Sequence, residues 1–185
     1  QDMTLRWVAA DVMGEAPNAD FADAKVAAIA RAIADVEDMP RGEETYWPGY
    51  FTYEEATYRR YINALVAMQG ADKALRKIAA NLKGRQRRCV MIARAERGDR
   101  TAADEIRAIA KDPGAGLLRA WAARTLGQIG DENDRTMLRE LAENDSLYRD
   151  ASGCMPPTKH GTKGVYPVRT AAAEALEAIA AMQSP

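Results

Sequence analysis

The sequence predicts an all-α protein of about nine helices that stack in pairs. Apolar residues recur at the three- and four-residue spacing of helices along nearly the whole chain, and strand-type alternation is almost absent. One helical segment, Arg119–Gly127, has copies elsewhere in the chain. The 185 residues are 47% hydrophobic with only two Phe, and the many alanines among them favour closely packed helices.

The helical periodicity and its boundary signals place the helices in order. Thr52 and Glu55 form a capping box at the start of the third helix, and Asp112-Pro113 ends the sixth. The predicted helices span 4–14, 21–37, 53–68, 71–82, 86–97, 101–111, 116–129, 132–144 and 167–182.

The helices alternate between two kinds. Among those of the second kind, Leu5–Gly14 matches Leu118–Gly127 position by position in character, and Val168–Leu176 matches this segment again. The first kind recurs as well, since Ile106–Ala110 aligns with Leu138–Ala142 after 32 residues. A unit of this kind cannot bury its apolar face alone, so neighbours must stack. We therefore predict one helix of the second kind followed by four pairs.

The best copy of the repeat resembles a known family. Asp112, followed by Arg119-Ala-Trp-Ala-Ala-Arg-Thr-Leu-Gly127 and Gly130-Asp131, is similar to HEAT repeats, particularly the PBS-lyase-like subgroup. The resemblance implies a right-handed α-solenoid that forms a single domain over residues 1–185. It also implies that turn aspartates and second-helix arginines form a structural ladder between repeats. The residues it places in that ladder are Asp112, Arg87, Arg119 and Arg169.

Two turns are much longer than the repeat requires. They run over about 39–51 and 145–166, and both connect the first helix of a pair to the second. Turns of one type emerge from one edge of a stack, here about 30 Å apart if each layer advances by about 10 Å. Insertions of this kind often mark the binding side of a repeat protein, or they cover exposed core at the ends of a short array.

The first long turn is rich in aromatic residues. Seven of the twelve aromatics lie within residues 46–61. Large amphipathic rings are enriched where proteins bind one another, although an irregular loop also needs such side chains to pack against the core. The candidate partner-binding residues here are Tyr46, Trp47, Tyr50 and Phe51.

The second long turn contains Cys154 and His160, the only histidine of the chain. Their spacing is not that of a zinc site, and no third group orients them as a nucleophile and base. The sequence therefore predicts no catalytic residue, no metal site and no cofactor. A disulfide between Cys89 and Cys154 would tether the turn, with two thiols as the alternative.

Charge is unevenly distributed although the net charge is only −1. Residues 11–58 contain 11 acidic and three basic residues, and residues 59–100 contain 12 basic and three acidic ones. Such a field can steer an anionic partner to Lys83, Arg85 and Arg88, or the charges can neutralise each other across adjacent helices or between molecules.

These observations bound the function. We expect a non-catalytic scaffold that binds another protein or a peptide. The alternatives are binding of nucleic acid or another polyanion through residues 59–100, and a lyase-like enzyme subunit by analogy with the family. No membrane insertion is expected, because no apolar run is long enough. The start at Gln1 suits an exported protein, periplasmic or extracellular, after signal removal, and otherwise a cytoplasmic one.

Overall fold

A computed structural model describes residues 21–37, 53–147 and 166–183, together with the single helical positions Ala9 and Val12. Four of the predicted features lie outside the described residues: the rest of the helix over 4–14, the aromatic cluster at 46–51, the capping box at Thr52 and most of the second long turn.

The described residues are all-α, as the periodicity predicts, and contain no strand. The predicted helices in this part of the chain are confirmed, with ends that agree to within three residues. The eight helices are α1 (Ala22–Glu37), α2 (Tyr53–Ala67), α3 (Asp72–Ala79), α4 (Gly84–Glu96), α5 (Ala103–Lys111), α6 (Leu118–Ile129), α7 (Asp134–Asn144) and α8 (Pro167–Gln183).

The turn after α4 shows how the sequence ends a helix. Gly98 adopts a φ of 87°, which a residue without Cβ reaches without strain. Its N–H donates to the Ala95 carbonyl at 2.8 Å, and the Asp99 N–H donates to the Arg94 carbonyl at 3.0 Å. This pair of hydrogen bonds is a Schellman motif, which satisfies the last carbonyls of α4 and directs the chain into α5.

The short turn between α5 and α6 is equally well specified. Asp112 follows α5, and its carboxylate accepts a hydrogen bond from the Gly114 N–H at 2.8 Å. Pro113–Ala115 form one 3₁₀ turn, and Gly116, with a φ of 55°, leads into α6. The Asp-Pro signal thus ends α5 where the sequence predicts it.

The helices pack mainly on near neighbours along the chain. α6 packs against α4, α5 and α8, while α7 packs against α8. At the other end, α4 packs against α1, α2 and α3. One continuous core results, and its largest fully buried aliphatic side chains include Ile62, Leu65, Leu75, Ile92, Ile106, Leu126, Leu138 and Ile179.

Helices α6 and α8 approach each other closely at Gly127 on α6. A Cβ atom at this position would lie only 2.8 Å from the Ala175 Cα of α8. Glycine is therefore required here by the backbone of α8 and not by its own conformation.

Candidate interaction surface

Arg119 joins three helices near the start of α6. Its Nε donates to the Ala110 carbonyl of α5 at 3.1 Å, and its guanidinium also donates to the Asp145 carboxylate at the end of α7. The Arg119 and Asp145 side chains are only 9% and 3% exposed. A buried pair of this kind fixes how α5, α6 and α7 meet, because losing either partner would leave a buried charge.

Two adjacent arginines of α4 together make the two kinds of contact that Arg119 makes alone, one to a backbone carbonyl of the preceding helix and one to a carboxylate just beyond the following helix. Arg87 donates to the Ala79 carbonyl of α3 and makes two hydrogen bonds of 2.7 Å to Glu105. Arg88 instead donates to the Asp112 carboxylate beyond α5. The links Arg88–Asp112 and Arg119–Asp145, here called the first ladder, each join one helical pair to the next.

The four residues that the HEAT resemblance places in a ladder all make contacts in this region. Asp112 contacts Arg88, which the sequence suggested for partner binding, and Arg119 contacts Asp145. Arg169 donates from Nε to the Asp145 backbone carbonyl at 2.7 Å, and its guanidinium lies 4.1 Å from the centre of the Tyr166 ring.

A second set of arginines, on the first helices of the pairs, makes equivalent links. Arg76 of α3 contacts Asp99 at 3.3 Å, and Arg107 of α5 contacts Asp134 at 2.6 Å and Asp131 at 3.6 Å. We call these links the second ladder. The sequence signal was available, because Arg76 and Arg107 occupy the same place in the first-helix pattern and Gly98-Asp99 repeats as Gly130-Asp131.

Two carboxylates of the second ladder, those of Asp99 and Asp134, have a pKa below the ordinary value for Asp. Burial raises the pKa of Asp99, but hydrogen bonds from Thr101 and Arg94 outweigh it and lower this pKa to about 2. Burial likewise opposes the shift at Asp134, where hydrogen bonds from Arg107 and the Asp131 N–H lower the pKa. These carboxylates are used to hold helices together.

Ion pairs within the chain engage many of the cations of residues 59–100, here called the basic segment. Among these ion pairs of the described residues, Lys77–Asp23, at 3.2 Å, reaches back to α1, and the other acceptors lie at Asp72, Asp99, Glu105 and Asp112. The cations of this segment that form these pairs include Arg76, Lys77, Arg87, Arg88, Arg94 and Arg97. Lys83 is exposed immediately before α4, and Arg85 in the first turn of α4 is half-buried.

A strip of α6 remains open to solvent. The helix is buried along most of its length, but Arg124 and Gln128 are exposed and Trp121 is half-buried. Arg124 contacts Glu174 of α8 at 2.9 Å. We call the exposed parts of these three α6 residues, with Glu174, the α6 strip.

Glu96 adjoins this strip from the end of α4. Its half-buried carboxylate accepts a hydrogen bond from the Thr125 hydroxyl at 3.4 Å. Burial raises the Glu96 pKa, and the Thr125 hydrogen bond and the Arg124 charge only partly oppose this effect. Glu96, Arg124 and Glu174 thus form a row of alternating charge across α4, α6 and α8. The spacing of these residues along the sequence does not predict this row, because it does not show which helices lie side by side.

A shallow cleft of about 310 Å³ lies beside Arg107, between the turn that precedes α5 and the turn that follows α6. Its lining residues are Arg100, Thr101, Ala103, Asp104, Arg107, Ile129 and Asp131. Arg107 is already engaged by the carboxylates of Asp104, Asp131 and Asp134, which raise its pKa. The polar side of the cleft therefore contributes to the join between two helical pairs.

Most of the remaining predicted site residues lie outside the part of the chain that the structure describes. Tyr46, Trp47, Tyr50, Phe51 and Cys154 lie outside the described residues, so the aromatic interface and the Cys89–Cys154 disulfide stay predictions. Cys89 itself is fully buried in α4.

Within the described ranges no cluster of three His, Cys, Asp or Glu could hold a metal ion. None of the described helices is both long and apolar enough to cross a bilayer.

Comparisons with protein families, with curated proteins and with solved structures find no match to this chain.

Proposed function

We propose that this protein is a non-catalytic scaffold of stacked HEAT-like helical pairs that binds another protein or a peptide. The observation that carries the proposal is the pairing of Arg88 with Asp112 and of Arg119 with Asp145. The same type of link joins successive pairs at nearly the same interval in the chain, which is what a stack of repeats requires.

The order of packing supports a solenoid. The second helices of successive pairs, α2, α4, α6 and α8, pack one against the next, and α3 and α5 each pack against the second helix of their own pair. In a solenoid of this type the second helices line one continuous surface, and such extended surfaces are the usual binding sites of helical-repeat proteins.

The α6 strip is our candidate for the described part of that surface. It combines a half-buried Trp121 with Arg124, and Trp and Arg are the residue types enriched at binding hot spots. Arg124 and Glu174 form an exposed pair, with side chains 49% and 50% accessible, so a partner could exchange one of these contacts at little cost.

Site-specific photo-crosslinking in cells of the source organism tests this proposal. A photoreactive side chain replaces the exposed Gln128 on the α6 strip, and the matched control replaces the exposed Lys73 on α3. We expect a defined crosslinked protein from position 128 and not from position 73, and weaker crosslinking when Arg124→Glu is added. Absence of any crosslinked protein from position 128 would argue against protein binding at this surface.

The two alternatives predict other outcomes. A polyanion-binding protein would be retained on immobilised DNA with a steep salt dependence that Lys83→Glu weakens, since phosphate contacts release counterions. A lyase-like subunit would change the absorption spectrum of an added bilin. Polyanion binding has less support than the scaffold function, because six cations of the basic segment are already held by carboxylates of the chain.

A further inference from the structure

Both ladders run in the same direction along the chain. In each link an arginine of one helical pair reaches a carboxylate of the following pair. The acceptors lie at the two ends of a first helix: Asp134 begins α7 and receives Arg107, and Asp145 follows α7 and receives Arg119. The helix α7 packs against α8, and one carboxylate at each of its ends links it to the preceding pair.

The last described pair has the arginines of both ladders without their carboxylates. Arg139 of α7 takes the place of Arg76 and Arg107 in the first-helix pattern, and Arg169 of α8 takes the place of Arg119. Arg139 is exposed, and no described carboxylate forms an ion pair with it. Arg169 contacts only a backbone carbonyl and the Tyr166 ring among the described residues, so its guanidinium keeps unused donors.

One difference between equivalent positions of α6 and α8 distinguishes this end from the interior of the stack. On α6, Gly127 allows the backbone of α8 to approach within 2.8 Å of where its Cβ would be. The corresponding position of α8 is Glu177, which is exposed. A further helix therefore cannot approach α8 as closely as α8 approaches α6, and a cation facing Glu177 would suit this position.

We propose that the end formed by α7 and α8 is a docking surface for a partner helix that carries one carboxylate at each end. This inference rests on the proposed scaffold function and names the chemistry of its partner. The first carboxylate would bind Arg139 and the second Arg169, about 16 Å apart if they match the eleven-residue spacing of Asp134 and Asp145. The pairing would be charge-assisted, and Arg169 is already oriented by Tyr166.

A nuclear magnetic resonance titration of the full chain tests the proposal without altering its fold. The probe is a hydrocarbon-stapled helical peptide of residues 130–147, which presents Asp131, Asp134 and Asp145 at the spacing that the ladders use. We expect saturable shifts of the Arg139 and Arg169 Nε–H signals. The control peptide carries Asn at all three aspartates and should bind at least about fivefold more weakly, because only the carboxylates give charge-assisted bonds.

Two protein variants sharpen the result. Arg139→Glu should abolish saturable binding of the aspartate peptide, and Lys73→Glu, an equal charge change on the distant α3, should preserve it. The proposal is overturned if neither arginine signal shifts, or if the two peptides bind equally well. In either case, a partner still crosslinked at position 128 would leave the scaffold function standing, so the two failures can be told apart.

Discussion

Arg119 donates to the Asp145 carboxylate across the junction of two helical pairs, and both side chains are almost fully excluded from water. Arg119→Met would remove the cation and leave Asp145 buried beside an apolar side chain. We expect the free energy of unfolding to fall by about 3–5 kcal/mol, measured by urea denaturation at neutral pH.

The control for this variant is Arg124→Met, because Arg124 and Glu174 form an exposed pair on the neighbouring surface. Its loss should cost no more than about 1 kcal/mol. Equal losses in the two variants would show that Asp145 becomes hydrated when Arg119 is removed, and that the first ladder does not depend on burial.

The Asp99 carboxylate should make stability depend on acidity. Its pKa of about 2 lies below its ordinary value of 3.8, so its contribution is complete above about pH 4 and is lost as the pH falls toward 2. Asp99→Asn should lower the free energy of unfolding at pH 7 by about 2 kcal/mol and reduce this acid dependence. Denaturation measured from pH 7 to pH 2 provides the comparison.

Asp104→Asn is the matched control, since the Asp104 side chain is 97% exposed where it pairs with Arg107. Its stability curve should follow that of the wild type. If Asp99→Asn follows the wild-type curve as well, the hydrogen bonds from Thr101 and Arg94 do not persist in solution.

Glu96 should have the opposite dependence on pH. Its pKa is raised by burial, so ionisation above the ordinary pKa of 4.5 costs stability that is present in more acidic solution. Glu96→Gln keeps a group that can accept from Thr125 and removes the charge, so it should raise the thermal midpoint at pH 7 and have little effect near pH 4. Glu177→Gln, at an exposed position, should change neither midpoint appreciably. A lower midpoint for Glu96→Gln at pH 7 would contradict this account.

The contact between Gly127 and Ala175 gives a test of packing. Gly127→Ala would place a methyl group 2.8 Å from the Ala175 Cα, so the two helices must separate. We expect a loss of about 1–3 kcal/mol in the free energy of unfolding, whereas Gln128→Ala at the exposed neighbouring position should be close to neutral. Adding Ala175→Gly should not restore the loss, because the obstructing atom belongs to the backbone. Full restoration by that second change would show that only side chains meet here.

The helices of the described ranges could be predicted because their signals are local. Asp112-Pro113 ends α5 by its own chemistry, and apolar spacing identifies the buried face of each helix. The ion pairs could not be assigned in the same way. Arg87 and Arg88 are adjacent and both basic, and only the packing of α4 against its neighbours determines which one meets Asp112.

The candidate surface was predicted least well, also for a physical reason. Trp121, Arg124 and Gln128 belong to the repeat itself, and the sequence does not show which face of α6 stays open to solvent. Glu96 and Glu174 become neighbours of Arg124 only when three helices from distant parts of the chain lie together.

The neighbour-to-neighbour packing of the helices also has a kinetic consequence. The helices α5 and α6 are joined by the short turn at 112–117, whereas α8 reaches α6 and α7 only across the long turn at 145–166. Closing a longer loop costs more chain entropy, so the docking of α8 is expected to follow the pairing of α5 with α6. The outer helices can then fray and re-form without loss of the pair α5–α6.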